Sequence, residues 1–219
     1  LLILPLITWN LSSAFGQAHP DWAIGLVWAL GLVAALLLFA SVLAHELAHS
    51  LVAQAQGIPV DDITLFLFGG VSDIEEEPQS PGGEFLMAVL GPVTSFVIGF
   101  LLLLFGGNIA DIQESGMDAN ALLQRLSPVS TLVLWLGSIN IILGLFNLVP
   151  GFPLDGGRVL RSIVWGITDN FRLATGVAAT VGKIIAFVMI GAGVLMIFGI
   201  RIPLFGVGAF NGIWLALIG

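Results

Sequence analysis

The sequence predicts an all-α polytopic membrane protein of about six transmembrane helices, with one short strand or β-hairpin segment between them. Three observations predict it. Of the 219 residues, 58% are hydrophobic and only 9% are charged, whereas a soluble globular domain carries roughly a quarter of its residues as charges. Mean hydropathy is +1.07. The apolar residues also fall in runs of about 20, the length a helix needs to cross a bilayer core. A water-soluble enzyme and a disordered chain are both excluded, because so much aliphatic mass must face lipid. The absence of cysteine removes disulfides, Cys-ligated zinc, iron–sulfur clusters and thiol nucleophiles. With 14 acids against 6 bases, the chain is poorly suited to phosphate backbones, so no nucleic acid is expected as a partner.

The whole of 1–219 reads as a single transmembrane core domain. The first apolar run, 1–15, has neither an initiator Met nor a charged leader and reads as the remnant first span of a truncated chain. Gly16, His19, Pro20 and Asp21 connect it to a long second span, 22–54. Over 57–83 the glycines and prolines break the helical pattern, and within that segment residues 63–68 read as a short strand. The acids of 73–77 read as a solvated loop. A third span covers 85–105, an aqueous loop 106–125, and a fourth span 126–149. The fourth ends in Pro150-Gly151-Phe152-Pro153-Leu154-Asp155-Gly156-Gly157, where backbone is expected to leave the helix. Spans five and six cover 173–198 and 202–218. Arg158, Arg161 and Arg172 cluster in the loop between spans four and five, which places that loop and the end of span two on the cytoplasmic side. Gly91, Gly99, Gly144, Gly176, Gly182, Gly191 and Gly193 are expected to let helices pack closely.

The second span carries the chemistry. His45-Glu46-Leu47-Ala48-His49 is an H-E-x-x-H pattern, and four residues of helix turn about 400°, so both imidazoles share one face. That spacing lets two histidines bind one metal ion, with Glu46 near enough to act as general base on a bound water. Ionisable residues inside a membrane are costly, and three in five positions point to function rather than packing. A catalytic zinc takes three protein ligands. His19 lies a helix length away and is a poor third ligand. With no cysteine, the third ligand should be a carboxylate: Asp155 stands out in its broken stretch, while Glu75, Glu76, Glu77 and Glu84 are the other acids considered.

The H-E-x-x-H helix together with Asn147-Leu148-Val149-Pro150-Gly151-Phe152-Pro153-Leu154-Asp155-Gly156 resembles the site-2 protease family of intramembrane zinc metalloproteases. Phe68-Gly69-Gly70-Val71 and Gly91-Pro92-Val93-Thr94-Ser95 resemble it too. The resemblance implies one Zn2+ per chain held by His45, His49 and Asp155, with Glu46 activating water. It implies cleavage in or near a transmembrane helix of a membrane-bound protein, such as an anti-sigma factor or a membrane-bound transcription regulator. Asn147 would hold substrate backbone or an oxyanion near the active site. The strand beside the motif helix offers an edge on which unwound substrate can add, with Leu65, Leu67, Gly69 and Gly70 as its candidate contacts. No PDZ or CBS domain is expected, because the loop 106–125 is short and the chain stops after the sixth span. A multi-pass protein of the cell membrane follows, its active site nearer the cytoplasm. The competing readings are a zinc-binding membrane carrier or scaffold without hydrolytic activity, which has no evident need of Glu46, and a membrane zinc protease with a glutamate as third ligand.

Overall fold

A computed structural model describes residues 3–66, 69–74, 79–109, 125–202 and 208–219. In chain order the elements are α1 (Ile3–Ala18), α2 (Ile24–Ala55), β1 (Val60–Phe66), β2 (Gly69–Ile74), α3 (Pro81–Ile109), α4 (Pro128–Asn147), α5 (Asp155–Thr168), α6 (Phe171–Ile197) and α7 (Ala209–Ile218). Four of these helices, α2, α3, α4 and α6, are long and apolar enough to cross a membrane. Of the six expected spans, the outer two are shorter among the described residues: α1 has 16 residues and α7 has 10, below the ~20 that a bilayer core requires. Side chains such as Phe187 and Val188 on α6 are exposed, as lipid-facing positions are.

Two boundaries differ from the sequence reading for local reasons. The third helix begins at Pro81, where the Ser80 hydroxyl accepts the Gly83 N–H at 3.1 Å; serine at the cap with proline at the first helical position is a strong start signal. The stretch read as non-helical through Gly157 instead opens a helix, α5, with Asp155 in its first turn. Arg158 and Arg161 therefore stand on a 14-residue helix rather than in a loop, one of roughly 21 Å and too short to span. It ends at Asp169, which takes a left-handed φ of 52°. The Asn170 side chain then caps α6 by accepting the Leu173 N–H at 3.0 Å.

The described chain forms two compact units, one of Leu1–Pro78 with Leu90–Phe146, the other of Gln79–Val89 with Asn147–Gly219. In the first, α1 packs along α2 around Leu11, Phe15, Val27, Ala34 and Ala35. Gly31 permits that approach, since a Cβ there would stand 2.9 Å from the Thr8 carbonyl oxygen. His19 is 1% exposed, stacks on Trp22 at 3.7 Å and lies 3.1 Å from Thr131 Oγ1 through Nε2; it is a packing residue at the turn, as its distance along the chain from His45 predicts. Helices α3 and α4 meet at Gly99 and Gly137, where a Cβ on Gly99 would be 2.9 Å from the Gly137 carbonyl oxygen. Asn140 on α4 donates to Ser41 Oγ of α2 at 3.0 Å, the interhelical hydrogen bond that lipid-embedded helices use.

Strands β1 and β2 pair antiparallel as a two-stranded sheet, with Leu65 opposite Gly70, Phe66 opposite Gly69, and an irregularity between Val60 and Ile63. The strand expected at 63–68 thus starts earlier, at Val60, and both strands contact α2. Leu67 and the acids Glu75 to Glu77 lie outside the described residues.

In the second unit, α6 packs against α7 at Gly193 and Gly212, where a Cβ on Gly193 would be 2.7 Å from Ala216 N. Of the glycines expected to mediate close packing, Gly91, Gly99, Gly144, Gly182 and Gly193 do so, but Gly176 and Gly191 have nothing within 4 Å among the described residues. Pattern alone does not say which face of a helix meets a neighbour.

Candidate metal centre

His45, Glu46 and His49 lie on α2 and are all buried. The two imidazoles meet edge to face with centroids 4.9 Å apart, one helical turn separating them as the spacing requires. The His45 ring is held from behind: its Nδ1 lies 2.9 Å from the Oγ of Ser95 on α3, and Ser95 is fully buried. When Nδ1 carries the proton and donates it to that hydroxyl, Nε2 holds the lone pair, the arrangement by which a ligating histidine is oriented.

What faces the Nε2 atoms is a glycine. A Cβ built on Gly91 of α3 would overlap the His49 ring at Nε2 and stand 2.7 Å from His45 Nε2. Both ring nitrogens therefore border the same small notch, which exists because position 91 carries no side chain. Two imidazole nitrogens converging on one space, with one ring already oriented by a hydroxyl, is a donor set that fits zinc. Gly91 and Ser95 are spaced by four residues and share a face of α3. The sequence held that signal, a glycine and a hydroxyl one turn apart in an apolar helix, but not the partner to which they turn.

Asp155 belongs to the second unit. It is half-buried and stands in the first turn of α5, reached by a tight reversal in which Gly151 N–H donates to Val149 O at 2.8 Å and Leu154 N–H to Gly151 O at 3.0 Å. Gly156 and Gly157 make the reversal possible, because a Cβ on Gly157 would be 2.6 Å from Phe152 N. Asn147 closes α4 and is half-buried. Leu65, Gly69 and Gly70 lie in the paired strands. Glu84, one of the alternative ligands, is 0% exposed and forms an ion pair with Arg161, so its carboxylate is already committed.

These features define a helical membrane protein with a paired-histidine site on a membrane-length helix. Residues 33–191 match the model of peptidase family M50, and the chain belongs to that family. A relative from Synechocystis sp. that bears the name of a zinc metalloprotease is 43% identical over 223 residues, covering 100% of this chain and 52% of its own length. Rip3 of Mycobacterium tuberculosis, also named as a zinc metalloprotease, is 36% identical over 220 residues, covering 100% of this chain and 51% of its own. The chain thus spans about half the length of these curated relatives. Among solved structures, the site-2 protease from Methanocaldococcus jannaschii is similar with a TM-score of 0.55 at 28% identity, over 99% of this chain and 82% of that one.

Proposed function

We propose that the chain is an intramembrane zinc metalloprotease that hydrolyses a peptide bond in or near a transmembrane helix of a membrane-bound protein, as in regulated intramembrane proteolysis. The observation that carries this reading is the pair of imidazole nitrogens bordering the Gly91 notch, with Glu46 buried beside them on a helix of membrane-spanning length. His45, His49 and Asp155 hold the ion in this reading. Asp155 is favoured as third ligand because the chain has no cysteine and, among the described residues, His19 is engaged with Trp22 and Thr131 and Glu84 with Arg161.

When bound, zinc supplies Lewis acidity that acidifies a water and polarises the scissile carbonyl. Glu46 takes the proton of the attacking water and returns it to the leaving amine. Asn147 offers an amide to the substrate backbone or to the developing oxyanion. A helical substrate must unwind to expose its carbonyl, and its freed backbone groups need partners in a medium without water. The outer edges of the β1–β2 sheet, beside α2, are suited to take that segment as an added strand through Leu65, Gly69 and Gly70. In this reading the apolar runs 1–15 and 202–218 supply the two short outer spans of six. The basic residues Arg158, Arg161 and Arg172 favour a cytoplasmic location for the end of α2, in the cell membrane. The substrate class is a transmembrane-helix protein such as an anti-sigma factor or a membrane-bound transcription regulator.

The test is zinc content and cleavage of a model transmembrane substrate by the purified protein, with Asp155→Ala alongside. Cleavage that chelation abolishes and zinc restores, together with weakened zinc binding in Asp155→Ala, supports the reading. Zinc bound without any cleavage moves the assignment to a carrier or scaffold.

A further inference from the structure

We propose that Arg161, anchored by Glu84, is a positioning residue that fixes the reversal presenting Asp155; this rests on Asp155 being a ligand, as proposed above. The reversal is built almost without side chains. Gly157 folds the first turn of α5 onto the backbone at Phe152, and Gly182 of α6 closes from outside, where a Cβ would be 3.0 Å from Phe152 N. Glycine contacts of this kind allow close approach but do not select one geometry. Phe152 is the largest side chain in the reversal, and the Arg161 guanidinium lies 5.2 Å from its ring centroid. Phe171, at the start of α6, takes the same guanidinium at 4.8 Å. The cation is thus shared by the reversal and by the next helix.

Glu84 determines where that cation sits. Its Oε1 accepts from Arg161 Nε at 2.6 Å and from Nη2 as well. The carboxylate is fully buried, and its Oε2 has no hydrogen-bond partner among the described residues. A buried carboxylate with one satisfied oxygen is a costly element whose retention for stability alone is weakly supported. A fork that also stacks on two rings is a task arginine performs and lysine does not. Arg161 follows Asp155 by six residues, roughly 240° around α5, so its influence on Asp155 runs through Phe152 and the backbone rather than by contact. It is not a catalytic residue.

The test measures zinc affinity of the purified full chain by competition with a chromophoric chelator, together with thermal stability, for Arg161→Lys, Phe152→Leu, Asp155→Ala and the double variant Arg161→Lys/Asp155→Ala. Arg161→Lys is expected to raise the zinc Kd about tenfold, as loss of a ligand-orienting partner does. Phe152→Leu, which keeps the ion pair, is expected to do the same and supplies the reading where Arg161→Lys does not fold. On the Asp155→Ala background Arg161→Lys is expected to add nothing, because the two act through one ligand. A lower melting temperature with unchanged zinc Kd, or an additive effect in the double variant, overturns the proposal. Zinc affinity unchanged in Asp155→Ala overturns the ligand assignment, and this inference with it.

Discussion

On α2, two histidines reach one face because four residues of helix bring them there; at 148–157, an aspartate is presented by a reversal whose own hydrogen bonds are few and whose walls are glycine backbone. The first region is self-sufficient in geometry and needs its neighbour only to leave room, which Gly91 does, and to orient one ring, which Ser95 does. The second borrows its geometry from elsewhere: Gly182 of α6, Phe171 at the start of α6, and Glu84 at the start of α3, through Arg161. A regular element places side chains by period. An irregular one places them by what presses on it.

The comparison breaks if the helical region proves as sensitive to remote changes as the reversal, or the reversal as tolerant as the helix. The largest effect is expected at Gly91→Ala, where the added methyl enters the notch bordered by both imidazoles. Zinc content and cleavage should fall to background while the melting temperature falls only modestly, since an overpacking cost of about 1–3 kcal/mol is partly offset by the ~1 kcal/mol that alanine gains over glycine in a helix. Glu84→Ala leaves the half-buried Arg161 cation without its partner and should destabilise the protein by about 1–3 kcal/mol, read as a lower melting temperature in detergent. Ser95→Ala should weaken zinc binding about tenfold by chelator competition, with little change in melting temperature. The smallest effect belongs to Gly176→Ala on α6: with nothing among the described residues within 4 Å of the new methyl, zinc affinity and cleavage should stay unchanged and stability should rise by at most about 1 kcal/mol.

Much of this was legible from residues alone, and what was not follows one rule. The histidine face of α2, four of the six expected spans and a strand beside α2 follow from period and composition, and the structure returns these with shifts of a few residues at the ends. Helix α5 was illegible because Pro150, Pro153 and the paired glycines read as breakers, whereas here they form the reversal and its close contacts, and the helix starts at Asp155 directly after them. The start of α3 was readable in Ser80-Pro81 as a cap and first position. Ser95 and Arg161 were visible as residue types but not as partners of His45 and Glu84, because those pairs are separated by 50 and 77 positions and are joined only by packing. The same holds for Gly176 and Gly191, which look like Gly182 and Gly193 in sequence and differ only in what stands opposite.

Whether the α2 site hydrolyses peptide bonds is decided by Glu46→Gln, because the change removes a proton acceptor while keeping size and hydrogen-bonding capacity. Glu46→Gln is expected to bind zinc as the wild type does and to cleave a transmembrane substrate slower by about 10^2–10^4-fold, the range lost with a general base. Equal cleavage by the two proteins at equal zinc content would contradict hydrolysis at the α2 site.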